Sequence, residues 1–287
     1  MTVLNRTRLR RTGGAAIVCA LLAGCSPGTP EAATPTPTKT FSFARNAPDP
    51  ATRCLKFPAD ARKVVIPGTD GVELAGAEVG SGPRGLVLLH QRGGDVCGWT
   101  PYVADLVKAG LHVLAIDFRC SGLSDCPDPS GGDPFYLPLD RAADAGAAVA
   151  YLRQAGATKV AVMGASMGAA TAVVAGGRFP DQVDAVVGLS VFSVSWNASG
   201  TTTTDVRTPA EAVSRVRGPI LLAGGGLDTD ALPPDVARMF LANAPAKERC
   251  VVVSRPESGA HGWDLLGTAP DTVQPEVLDF LAGALKT

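Results

Sequence analysis

The sequence predicts an α/β fold with a mostly parallel central sheet of about eight strands and helices on both faces. Three observations predict it. Short apolar runs alternate with helix-like segments down to the C-terminus, the pattern of a layered α/β domain. Several of those runs are continuously apolar, as in Gly85–His90 (GLVLLH), which suits parallel strands buried on both faces. The composition, 46% hydrophobic and only 18% charged, supplies a large core, and 33 glycines among many alanines favour close helix-on-sheet packing.

The elements follow in order. Ala61–Pro67 and Val72–Val79 read as a strand pair around the turn signal Gly68-Thr69-Asp70-Gly71. Gly85–His90 is the first buried strand, Trp99–Ala109 has helical spacing and stops at Gly110, and Leu111–Asp117 is a second buried strand. Leu139–Ala155 is a long alanine-rich helix ended by Gly156. Lys159–Met163 is a strand and Ser166–Gly176 a helix; Asp184–Leu189 and Pro219–Ala223 are strands. Pro234–Ala244 is a helix, Arg249–Ser254 the last strand and Gln274–Leu285 a closing amphipathic helix. About 30 residues, Ser190 to Gly218, separate two of the strands, which leaves room for a small lid or none.

The chain upstream has another character. Arg6, Arg8, Arg10 and Arg11 precede an apolar stretch from Gly13 to Gly24, too short to span a bilayer. The boundary Leu22-Ala23-Gly24-Cys25 resembles a bacterial lipobox, which implies that residues 1–24 are a lipoprotein signal peptide and that Cys25 takes the lipid. Residues 25–50, rich in Pro and Thr, cannot build a core and read as an extended tether, with the folded domain over 51–287. The expected location is outside the cytoplasm, on the bacterial cell membrane. The 26 basic and 27 acidic residues nearly balance, and losing the four leader arginines tips the mature chain mildly acidic. No basic excess exists to bind nucleic acid.

Five cysteines belong to the folded part: Cys54, Cys97, Cys120, Cys126 and Cys250. In an oxidising compartment some pair, and an odd count leaves at least one thiol. Cys97, Cys120 and Cys126 fall in loops at one end of the sheet, so a bridge among those three is expected. No C-x-x-C occurs and histidines number three, so no metal site is expected.

Ligands of open α/β sheets sit at the carboxyl ends of the strands. Just past the strand at 159–163 stands Gly164-Ala165-Ser166-Met167-Gly168, the G-x-S-x-G of a nucleophile elbow. Such a turn pushes Ser166 out over the sheet edge and directs a helix N-terminus, with the Met167 N–H, at the same spot. A serine needs a base. His112 begins a buried strand at the opposite end and is expected to be structural. His261, in the glycine-flanked loop Ser258-Gly259-Ala260-His261-Gly262 after the last strand, is the candidate. Asp228, past the strand end in Leu222-Ala223-Gly224-Gly225-Gly226-Leu227-Asp228, is the candidate acid partner, with Asp230 as competitor.

With these segments assembled, together with Asp117-Phe118-Arg119-Cys120-Ser121-Gly122, the chain resembles the α/β-hydrolase superfamily over about residues 61–285. The resemblance implies a serine hydrolase with a Ser166–Asp228–His261 triad that cleaves small-molecule carboxylic esters without a cofactor. Two departures stand out. Gln91 replaces the glycine that usually follows the position of His90, so the second oxyanion N–H is expected from Arg92, then Gln91, with His90 structural. Cys120 stands where glycine is usual. Trp263, Tyr136 and Phe135 are candidates for lining the pocket or for ordinary packing. A peptidase or amidase on the same triad, and a non-catalytic surface-anchored binding protein on this scaffold, are the alternatives.

Overall fold

A computed structural model describes residues 42–126, 140–192, 208–267 and 272–287 of the chain. Eight strands form one sheet: β1 (Arg62–Pro67), β2 (Glu73–Val79), β3 (Arg84–Leu89), β4 (His112–Ile116), β5 (Lys159–Ala165), β6 (Ala185–Leu189), β7 (Ile220–Gly224) and β8 (Arg249–Val253). Their spatial order is β1-β2-β4-β3-β5-β6-β7-β8. β2 runs antiparallel to both β1 and β4, and every pairing from β4 to β8 is parallel.

The helices are α1 (Phe43–Asn46), α2 (Pro50–Arg53), α3 (Thr100–Lys108), α4 (Arg141–Gln154), α5 (Met167–Arg178), α6 (Pro209–Val213), α7 (Pro234–Leu241) and α8 (Gln274–Ala284). The two faces of each central strand feed two separate cores, as the two-residue period of a strand requires. Val87 and Leu89 of β3 and Val160 and Val162 of β5 point to the side covered by α4, α5, α6 and α7. Leu86 and Leu88 of β3 and Ala161 and Met163 of β5 meet α3 and α8. Small residues let α5 lie very close to the sheet: a Cβ on Gly176 would come within 2.5 Å of Val186.

The topology also locates the functional end. From β3 the chain moves outward to β4 and then returns to lay β5 on the other side of β3. The strand order therefore reverses between β3 and β5, and the crevice beyond their carboxyl ends is the favoured ligand position of such sheets.

Residues 42–50, read from composition as part of the tether, are folded in the structure. They pack on the sheet. Ser42 Oγ caps α1 by accepting from Arg45 N at 3.2 Å, and Phe43 N donates to Asp125 Oδ1 at 2.7 Å. Arg45 pairs with Glu73, and Lys63 Nζ donates to Ala47 O at 2.8 Å. Ala44 and Ala47 are buried against Ala75 of β2. The prolines do not prevent this, because Pro50 opens α2, where a missing N–H costs nothing. Residues 1–41, with Cys25, lie outside the described residues.

Of the five cysteines, Cys120 pairs with Cys126, within the expected trio, whereas Cys97 reaches Cys54 and Cys250 is a free thiol. Cys120 adopts φ 59°, a conformation that favours glycine. It is held there by the bridge and by its N–H donating to Asp125 O at 3.1 Å.

Candidate active site

The elbow forms as its glycines require. Ser166 lies between β5 and α5 at φ 50°, ψ −108°, a strained conformation for a residue with a side chain. A Cβ on Gly164 would come within 2.0 Å of Gly168 O, and one on Gly168 within 2.1 Å of Leu89 O. Any side chain at either position would force the turn open. Ser166 N donates to Leu189 O of β6 at 2.8 Å, and Ser166 O accepts from Ala170 N at 3.0 Å. Met167 is the first residue of α5, where backbone N–H groups have no partner within the helix.

His261 stands on the segment between β8 and α8. Its Nδ1 lies 3.0 Å from each carboxylate oxygen of Asp228. The Asp228 side chain is 3% exposed and the imidazole 29%. A carboxylate can only accept, so Nδ1 carries the proton of the neutral ring and Nε2 keeps its lone pair. Among the described residues Asp230 makes no hydrogen bond to the ring; its N–H donates to Asp228 Oδ1 at 3.1 Å and helps fix that carboxylate.

The His261 loop is pinned to the elbow. Gly262 N donates to Ser190 Oγ at 2.8 Å, and a Cβ on Gly262 would lie 3.5 Å from Ala165 Cβ, beside the nucleophile candidate. Ser166 and His261 thus share the carboxyl end of the sheet. Among the described residues, Ser166 Oγ makes no hydrogen bond with the imidazole.

Gln91 and Arg92 follow β3, at the strand-order reversal. Gln91 O accepts from Gly94 N at 3.0 Å, closing a turn, and Arg92 is exposed. Gln91 Oε1 is buried, has no hydrogen-bond partner among the described residues and faces Gly262. His90 is fully buried. Its Nδ1 donates to Gln91 O at 2.8 Å and its Nε2 accepts from Phe118 N at 3.2 Å, which uses up both ring nitrogens. Burial pushes its pKa below the ordinary histidine value, so it is a neutral strut and not a base. His112, at the far end, bonds Glu78. Asp117 ties the neighbouring loops together by accepting from Val96 N at 2.9 Å, Leu123 N at 2.7 Å and Arg53 Nη1 at 2.7 Å.

Sequence reasoning missed Ser190, which is fully buried at φ 59° and holds the residue after His261. Its position directly after β6, next to the strand carrying the elbow, was the available signal. Trp263 is a packing residue against Trp99, whereas Tyr136 and Phe135 lie outside the described residues.

Comparison with known proteins follows the same lines. A family model described as the alpha/beta hydrolase fold matches residues 86–209. An esterase of Pyrococcus furiosus superposes with a TM-score of 0.64 at 19% identity, over 79% of this chain and 92% of that one. An enol-lactonase of Burkholderia xenovorans gives 0.59 at 18%, over 76% and 100%. A monoacylglycerol lipase of Paleococcus ferrophilus gives 0.58 at 14%, over 74% and 99%. No curated protein matches the sequence.

Proposed function

Because this chain has the α/β-hydrolase fold, we propose that it is a serine hydrolase of carboxylic esters, with Ser166 as nucleophile, His261 as base and Asp228 as the partner of the imidazole. One observation carries the reading. The Asp228 carboxylate is bonded to Nδ1 of His261, which leaves Nε2 to take the Ser166 proton, on a loop packed beside the elbow.

In the reaction, Nε2 accepts the Ser166 hydroxyl proton as Oγ attacks the ester carbonyl. The tetrahedral oxyanion accepts from the Met167 N–H and from the backbone N–H of Arg92 or Gln91. Collapse breaks the bond to the alcohol oxygen, which leaves with the proton held by His261. Water then attacks the acyl-enzyme while Nε2 takes its proton, and the acid departs as Ser166 regains a hydrogen. Asp228 orients the imidazole and stabilises the imidazolium each time it forms. The names of the structural neighbours, esterase, enol-lactonase and monoacylglycerol lipase, support an ester as the bond cleaved.

The enzyme so proposed is exported and held to the membrane by lipid on Cys25. Two disulfides in the described part suit an oxidising compartment. Purified protein should hydrolyse a short p-nitrophenyl ester and be labelled by a fluorophosphonate at Ser166, and Ser166→Ala should lose both. Ester hydrolysis surviving in that variant would overturn the assignment.

A further inference from the structure

The segment that carries His261 continues into Trp263, whose ring lies in a slot cut into the loop between β3 and α3. A Cβ on Gly98 would come within 2.2 Å of Cη2 and of Cζ3 of that ring, and one on Gly94 within 2.5 Å of Cη2. No side chain fits at 94 or 98 while the ring is seated. Trp99 meets the same ring edge-on, with centroids 6.1 Å apart and planes at 76°. Beside this contact, a Cβ on Gly262 would come within 2.2 Å of Gln91 Oε1, so the two segments interlock at a second point. Cys97, between the slot glycines, is bridged to Cys54, which braces the slot from behind.

The two interlocked segments carry different parts of the site. His261 lies two residues before Trp263, and Gln91 and Arg92 lie just before Gly94. On the reading of the preceding section, one segment holds the base and the other the second oxyanion donor. They come from distant parts of the folded chain, and apart from the hydrogen bonds that hold the His261 loop to Ser190 and Asp228, the contact between the two segments is side-chain packing.

We propose that Trp263 is a positioning residue: seated between Gly94 and Gly98, its ring sets the His261 imidazole in register with the backbone N–H groups at Gln91–Arg92. The ring acts through His261 and need not touch substrate. Its removal leaves a gap into which the loop can relax, and displacements near 1 Å at a catalytic group cost on the order of 10²-fold in rate. The loss falls on kcat, because the misplaced interactions are made in the transition state.

The test uses the full-length protein and a short p-nitrophenyl ester, with rates expressed per site labelled to completion by a fluorophosphonate, so that unfolded protein is not counted. Trp263→Ala should lower kcat by roughly 10- to 100-fold with KM changed less than about threefold, and Trp263→Phe should recover most of the loss. Gly98→Ala should lower kcat similarly by expelling the ring. In the Trp263→Ala background the same change should cost little, because the atoms it would strike are gone. The inference is overturned if Trp263→Ala keeps kcat within about twofold, or if Gly98→Ala is equally harmful with and without the indole. Should Trp263→Ala not fold, the Gly98→Ala and Trp263→Phe rates decide. Ser166→Ala, run alongside, separates the two readings: activity in that variant sinks the proposed nucleophile, whereas a dead Ser166→Ala with an unaffected Trp263→Ala sinks only the positioning role.

Discussion

Two histidine–carboxylate pairs sit at opposite ends of the same sheet. His261 Nδ1 is 3.0 Å from Asp228, and His112 Nε2 is 2.7 Å from Glu78. By contact distance the second is the better pair, yet only the first resembles a reaction centre. His112 and Glu78 lie on β4 and β2, their side chains 3% and 1% exposed. Arg62 and Tyr151 Oη crowd the same carboxylate at 2.9 and 3.0 Å. The glutamate accepts from three side chains, and the second ring nitrogen of His112, Nδ1, is buried with no hydrogen-bond partner among the described residues. His261 stands on a loop, 29% exposed, with its second nitrogen unbonded among the described residues and a strained serine on the adjoining turn. A carboxylate beside an imidazole is therefore only a way of satisfying polar groups. Chemistry also needs the second nitrogen left within reach, which burial denies His112, and a nucleophile held ready.

The largest effect that would break this contrast is at the proposed nucleophile. Ser166→Ala should lower kcat/KM for an ester by at least about 10³-fold while the melting temperature stays nearly unchanged. Asp228→Asn should follow at roughly 10³- to 10⁴-fold, because an amide can hold the wrong tautomer of His261. Steady-state kinetics on both variants measure this.

A smaller loss is expected at Ser190. Ser190→Ala leaves the buried Gly262 N–H without its acceptor, which costs about 1–3 kcal/mol. Part of that should appear as a fall of roughly tenfold in kcat, since one tenfold step corresponds to about 1.4 kcal/mol. His112→Ala sharpens the comparison from the other side. It should lower stability in urea by about 1–3 kcal/mol while kcat per labelled site stays within about twofold.

The smallest effect is a pH slope. Burial lowers the pKa of His90 from its ordinary 6.5, so the unfolded chain takes up this proton more readily than the folded one. The contribution of neutral His90 to stability is complete above about pH 6.5 and is lost as the pH falls below it. Melting temperatures between pH 7.5 and 5 should fall on acidification, and less steeply in His90→Asn.

Much of this architecture is legible in the residues because the signals are local. Each apolar run read as a strand is one, and the five predicted helices end within a few residues of their expected stops. The elbow was readable because its strand, G-x-S-x-G turn and helix are contiguous in the chain, although Gly168 is demanded by the close approach of Leu89 on β3. What escaped depends on distant partners. Residues 42–50 look like tether by composition, and only the alanine face of β2 and the acids Glu73 and Asp125 give them somewhere to pack. Ser190 is an ordinary serine until the His261 loop arrives over it, 72 positions later. Gly94 and Gly98 read as loop glycines, and nothing near them announces an indole 165 to 169 residues downstream.

The Cys54–Cys97 bridge has a mechanical consequence. Tension applied to the N-terminal segment would first load the contacts of residues 43–47 with β1 and β2, and would then pass through sulfur to the loop after β3. Once those contacts had given way, the load would be shared between the chain leading into β1 and the loop carrying Gly94 and Gly98.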